Sequence, residues 1–155
     1  LLAEGFNDDG GKTMREILFK AKRLDNGEWV EGNIVAVPED ADFMPGAYIL
    51  PRLVSARADP PTKGIMLGGF FEVDPATVCE YTGLTDKNGK KVFVGDIVKC
   101  SRGCTHEVVW VQEHGGTFIG GMPAIYLSDL MPGYAWTGEE EIIGNINDGE
   151  GGQHE

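Results

Sequence analysis

The sequence has no apolar run near the ~20 residues that a membrane-spanning helix needs. No secretory leader stands ahead of its first strand-like segment. It also lacks any window with a sustained 3.6-residue apolar period, because 23 glycines and 8 prolines among 155 residues interrupt each candidate. Helices longer than about three turns are therefore excluded. Basic residues are few, 13 against 25 acidic ones, and no Lys/Arg cluster is dense enough to track a phosphate backbone. The densest basic stretches, Arg15–Arg23 and Lys87–Lys91, read as solvated strand and turn faces. This argues against a duplex DNA partner. Cysteine is scarce. An odd set, Cys79, Cys100 and Cys104, makes no disulfide framework and fits a reducing cytoplasm. Walker loops, dinucleotide fingerprints, HExxH helices and GxSxG elbows are all missing. Gly115-Gly116 and Gly120-Gly121 precede no helical pattern, so they are not phosphate cradles.

What is present suits a folded chain. Hydrophobic residues make up 41%, enough for one domain or two small packed subdomains. The formal net charge is −12, and most of it lies at the ends. Residues 1–13 carry −2, residues 138–155 carry −6, and the long middle only −4. A rigid surface dense in acids, as nucleic-acid mimicry would need, is not indicated.

The pattern along the chain is one of short strands and turns. Residues 1–13 show no apolar period and read as a disordered or leader extension ahead of Met14. Two β-rich runs flank Asn26-Gly27, and two more flank Asn88-Gly89, which are hairpin signals. Between them lies an irregular, proline-rich loop at 38–63, with strand character only at Ala47–Leu50 and Leu53–Val54. Asp74–Thr77 reads as a turn or a single helical turn. Further strands are expected at Ile65–Val73, Val78–Tyr81, Ile97–Cys100, Glu107–Val111, Thr117–Ile119, Ile125–Leu127 and Glu141–Ile146. Strand spacing near ten residues with glycine-rich joints argues for an all-β barrel or sandwich. The expected organisation is a β subdomain over 14–72, a second, barrel-like one over 73–147, and a polar tail over 148–155. Exposed strand edges with few Lys defences favour self-association, or pairing with another protein, over a monomer.

Candidate chemistry is thin. Cys100, Cys104 and His106 place two thiols and an imidazole within seven residues, with His114 and Cys79 as further donors. Zinc accepts such ligands, but the C-x3-C-x-H spacing lacks a second cysteine pair, and small apolar cysteines beside a turn explain it better. A Cys–His nucleophile would need an orienting acid that the sequence does not show. The acidic run Glu139–Glu141 reads as a solvated strand edge, and Trp29, Trp110 and Trp136 as core. No cofactor is implied.

The stretch Glu80–Val98, reading EYTGLTDKNGKKVFVGDIV, carries the most specific pattern. With Met14–Lys20, Gly27–Gly32, Val109-Trp110 and Ile142–Ile146, it resembles the YopX family of phage and prophage proteins over roughly 14–37 and 64–147. The resemblance implies a mostly β protein in the cytoplasm of a bacterial host, in a family without an assigned activity. The chain departs from the family at 38–63 and at Cys100–His106. Gly95-Asp96 resembles the turn that leads into the first strand of SH3-like barrels, and its expected role is structural. The reading reached is a non-catalytic binding or assembly module. A nucleic-acid-associated small barrel and a metal-dependent enzyme are the alternatives.

Overall fold

A computed structural model describes residues 6–7, 13–42, 44–113, 124–128 and 136–149. The fold is mostly β in several antiparallel sheets, and the longest helix among the described residues is one 3-10 turn. The chain divides into two units, 1–80 and 81–155, each with a core of its own.

In the first unit, β1 (Phe6–Asn7) pairs with β2 (Thr13–Met14). Strand β3 (Phe19–Lys22) forms the expected hairpin with β4 (Trp29–Val37). Its connection is not a two-residue turn. Arg23 donates its N–H to the Glu28 carbonyl at 2.9 Å, leaving Leu24–Gly27 as the loop, with Gly27 at φ 72°. The Asn26 side chain accepts from the Glu28 amide at 2.9 Å. Strand β4 pairs with β3 through residues 29–32 and with β5 (Gly46–Leu50) through residues 33–37. Gly32 sits at this changeover. A Cβ there would lie 2.2 Å from the Leu50 carbonyl oxygen, so only glycine fits.

Two strands follow within and beyond the proline-rich region, β6 (Ser55–Asp59) and β7 (Gly64–Gly68), then β8 (Phe71–Val73). Within the proline-rich region β5 forms over the expected strand-like Ala47–Leu50, whereas Leu53–Val54 lies outside any strand and β6 begins just after it, at Ser55. The apolar run over Ile65–Val73, in which Gly64, Gly68 and Gly69 signal bends, divides at Gly69, whose φ is 119°. Strand β8 pairs with β5, and the chain then returns along β3 through an Arg23–Val73 bridge. The Pro75–Thr77 turn follows, capped by the Asp74 carboxylate accepting from the Ala76 amide at 3.0 Å. Strand β9 (Cys79–Thr85) begins against β3. The curled sheet encloses Ala21, Ala47, Ile49 and Val73, with Phe19, Val30, Ile34 and Val78 packed around them.

In the second unit, β9 turns into β10 (Lys91–Phe93), which leads into β11 (Asp96–Lys99). Strands β12 (Thr105–Val111), β13 (Ala124–Leu127) and β14 (Glu141–Asn145) complete a sheet ordered β13-β12-β11-β14. Its core is Val92, Val98, Val108 and Leu127, with Leu84, Ile125, Trp136 and Ile142 against it. The barrel expectation needs correction. Among the described residues no barrel closes, because β13 and β14 are each paired on one side only. The expected strand at Thr117–Ile119 lies outside the described residues, as do His114 and the glycine pairs after it.

The β9–β10 connection also differs from the two-residue Asn-Gly turn. Asp86 donates its N–H to the Lys90 carbonyl at 2.8 Å, and Gly89 donates to the Asp86 carbonyl at 2.9 Å. Only Gly89 has positive φ, 80°, which makes this a three-residue loop ending in a glycine bulge. The two glycines should respond differently to alanine. Gly89→Ala has open space around its Cβ and should cost about 1 kcal/mol through backbone strain alone. Gly32→Ala should cost on the order of 2–4 kcal/mol, because backbone atoms must move. Urea unfolding of both variants checks the order, and equal midpoints would contradict it.

Candidate functional site

Strands β6 and β7 form a two-stranded ribbon in which neither strand has a second neighbour among the described residues. The register pairs Ala56 with Leu67 and Ala58 with Ile65, so these four side chains share one face. Val54, whose N–H donates to the Gly68 carbonyl at 3.0 Å, continues the same alternation. That face is wholly apolar and open to solvent, with Val54 72% and Ile65 70% exposed. The opposite face carries Ser55, Arg57, Asp59 and Met66. An isolated two-stranded ribbon is marginal in water, and apolar exposure of this extent marks a contact surface.

The ribbon's base meets an apolar groove of about 440 Å³. Val35 and Val37 of β4, Tyr48 of β5, and Met44, Leu67 and Phe70 line it. Met44 holds a left-handed backbone, φ 42°, and accepts a hydrogen bond from the Tyr48 hydroxyl at 2.9 Å. A non-glycine residue held there with its side chain exposed stores strain at the rim of the groove. Charge distinguishes the region as well. Residues 44–71 contain Arg52, Arg57, Lys63 and Asp59, a net of +2 in a chain of −12.

The sequence-derived candidates sit elsewhere. Asn26 and Gly27 close the β3–β4 loop, and Asn88 and Gly89 the β9–β10 loop. Gly95 has φ 98°, donates to the Val108 carbonyl at 2.8 Å and accepts from the Ile146 amide at 2.9 Å. Asp96 is fully buried. Its carboxylate accepts from the Phe93 amide at 2.8 Å and from the Asn145 side-chain amide at 2.9 Å, tying the β10–β11 turn to β14.

Cys100 and Cys104 flank a hairpin loop with the same bonding as the Asp86 loop. Cys100 donates to the Cys104 carbonyl at 2.8 Å, Gly103 donates to the Cys100 carbonyl at 2.9 Å, and Gly103 has φ 86°. Cys104 is exposed, Cys100 half-buried and His106 buried. His106 Nδ1 lies 2.7 Å from the Ser128 carbonyl oxygen, so that nitrogen carries the proton. Among the described residues no three His, Cys, Asp or Glu side chains are grouped to hold a metal ion. Cys79 is buried, with its Sγ 3.3 Å from the Thr77 carbonyl.

Two expectations differ from the structure, and one buried residue carries no expectation. Glu140, read as solvated, is fully buried and accepts from the Thr137 amide and hydroxyl. Trp110, read as core, is half exposed. Asp86 is not singled out by the sequence pattern. It is buried, and its carboxylate accepts from the amides of Asn88, Lys90 and Ile142 at 2.9, 2.9 and 3.1 Å. Its position before Asn-Gly was the available signal, since Asp caps turn amides.

Burial pushes the Asp86 carboxyl up, but the amides of Ile142, Lys90 and Asn88 more than offset this and hold it below its ordinary 3.8. A lowered carboxyl stabilises the fold fully above its unfolded value, and this contribution is lost as pH falls through the folded value. Asp86→Ala should therefore cost roughly 2–3 kcal/mol at pH 7, with three amides left without their acceptor. The loss should shrink as pH falls below the unfolded value, about 4, and on through the lower folded value, where the wild-type carboxylate protonates. Urea titrations at the two pH values measure this, and a pH-independent difference would contradict it.

The profile of the YopX protein family matches residues 19–149. A solved structure, the crystal structure of protein EF1440 from Enterococcus faecalis, is similar at a TM-score of 0.52 and 22% identity. The match covers 86% of this chain and 94% of that one, and it supports the fold. No curated protein matches the chain in sequence.

Proposed function

The chain belongs to the YopX family, and from that premise we propose that it is a phage- or prophage-encoded accessory protein, a non-catalytic assembly module that self-associates. One observation carries this reading. The β6–β7 ribbon presents an unbroken apolar face, Val54, Ala56, Ala58, Ile65 and Leu67, that its own unit leaves in water. A ribbon with so little burial gains stability only from a partner surface.

A second copy fits the chemistry of that surface. Face-to-face packing of two such ribbons buries Ile65 and Leu67 against their equivalents and is self-complementary, as a two-fold interface requires. The charged residues Arg57 and Asp59 remain on the outer face. A single-sign nucleic-acid partner has no comparable footprint here, since the basic residues of the ribbon are few and separated. The bacterial cytoplasm is the proposed setting, supported by three free cysteines. No helix of the described residues is long and apolar enough to cross a membrane.

Light scattering on a size-exclusion column tests this over a dilution series. The expected mass at micromolar concentration is a multiple of 16.8 kDa. Ile65→Lys combined with Leu67→Glu should return the monomer, since both side chains are solvent-exposed, with a loss of circular dichroism no larger than the two five-residue strands of the ribbon account for. A wild-type mass of one chain at every concentration would overturn the reading.

A further inference from the structure

We propose that Cys100 and Cys104 form a reversible dithiol–disulfide pair at the tip of the β11–β12 hairpin, oxidised by small-molecule disulfides. Cys100 reacts first and Cys104 resolves. The inference is independent of self-association through the ribbon.

The backbone places the two thiols for this bond. Val98 faces His106 and Lys99 faces Thr105 across the hairpin, and the Cys100 amide donates to the Cys104 carbonyl at 2.8 Å. Alternation then sets Cys100, Cys104 and His106 on one face. Directly paired positions of this kind have Cα atoms about 5.5 Å apart, inside the range a disulfide spans. The intervening loop, Ser101–Gly103, is exposed, so a small disulfide reaches the site from solvent.

The second observation is His106. The imidazole is buried to 6% exposure, and its Nδ1 proton is committed to the Ser128 carbonyl. That leaves Nε2 with a lone pair and no completed hydrogen bond, an unusual state for a buried nitrogen. A base held this way beside a thiol favours the thiolate. The Cys100 thiol is accordingly lowered from 9.0 to about 7. The neighbouring His106 imidazole is the largest cause, burial opposes it, and the amides of Arg102 and Cys104 assist.

The chemistry proceeds in two exchanges. The Cys100 thiolate attacks one sulfur of glutathione disulfide, forms a mixed disulfide and expels one glutathione thiolate. The Cys104 thiol gives up its proton and attacks the Cys100 sulfur, which expels the second glutathione, and solvent protons complete both thiols. The two protein sulfurs are oxidised by two electrons, and the small disulfide is reduced by the same two.

Peptide mass spectrometry after glutathione disulfide treatment of the full chain tests the pairing. The peptide spanning residues 100–104 should lose two hydrogen atoms and regain them with dithiothreitol. Cys104→Ser should instead trap a stable glutathione adduct on Cys100. Alkylation of Cys100 in the wild type should rise with pH about a midpoint near 7. His106→Gln should slow Cys100 modification at pH 7 roughly five- to tenfold, the loss of thiolate being partly offset by its greater nucleophilicity. The wild-type pH profile keeps the test decisive should that variant misfold. An unresolved adduct on wild-type Cys100, a bond to Cys79, or an alkylation midpoint near that of an ordinary thiol would overturn the proposal.

Discussion

The apolar face that the β6–β7 ribbon leaves in water is the constraint on which the account of this structure depends. Among the described residues each unit shows a core cluster of four buried side chains, and two of the eight are alanine. Clusters of this size supply modest hydrophobic stabilisation, at about 1.5–3 kcal/mol for each large aliphatic side chain buried. The second unit supplements its core with polar ties. Asp86 gathers three backbone amides from two segments, and Asp96 joins the β10–β11 turn to Asn145. Meanwhile Val54, Ile65, Met66 and Leu67 stand outside, in the first unit. Covering them removes that apolar surface from water, which is why the ribbon reads as an interface.

Much of the fold is legible in the sequence because hairpins announce themselves. Asn26-Gly27 and Asn88-Gly89 mark both turns, since an αL position after a type I turn selects glycine. The loop lengths were not legible. Asn-Gly serves a two-residue turn and a longer bulged loop equally well, and the bonding of Arg23 to Glu28 and of Asp86 to Lys90 decides between them. The ribbon escaped detection for a related reason. Its β6 strand, SARAD, has small and charged residues between prolines, and nothing local reveals that Ala56 and Ala58 lie opposite Leu67 and Ile65. Pairing is a tertiary fact, and strand propensity is weak where the partner strand supplies the apolar side chains.

The candidate chemistry was half legible. The sequence shows two thiols and an imidazole close together, and the spacing argues against a zinc site. What it cannot show is that Ser128 fixes the His106 tautomer from β13's end, so that Nε2 is left without a donor. The same limit applies to Glu140, which sits in an acidic run that looks solvated. Its burial depends on Thr137 folding back over it, through a hydroxyl that donates to the carboxylate. In both cases a neighbour's geometry sets the chemistry of the residue.

The central claim is that the apolar face of β6–β7 is covered by a second copy of the chain. Amide hydrogen exchange across residues 55–68 measures this directly, because an uncovered ribbon opens with almost no free-energy cost. The account predicts that protection of the Ala56, Ala58, Ile65 and Leu67 amides rises with protein concentration. The amides of β11 and β12 should stay constant over the same range. Fast exchange of the ribbon amides at every concentration would contradict it.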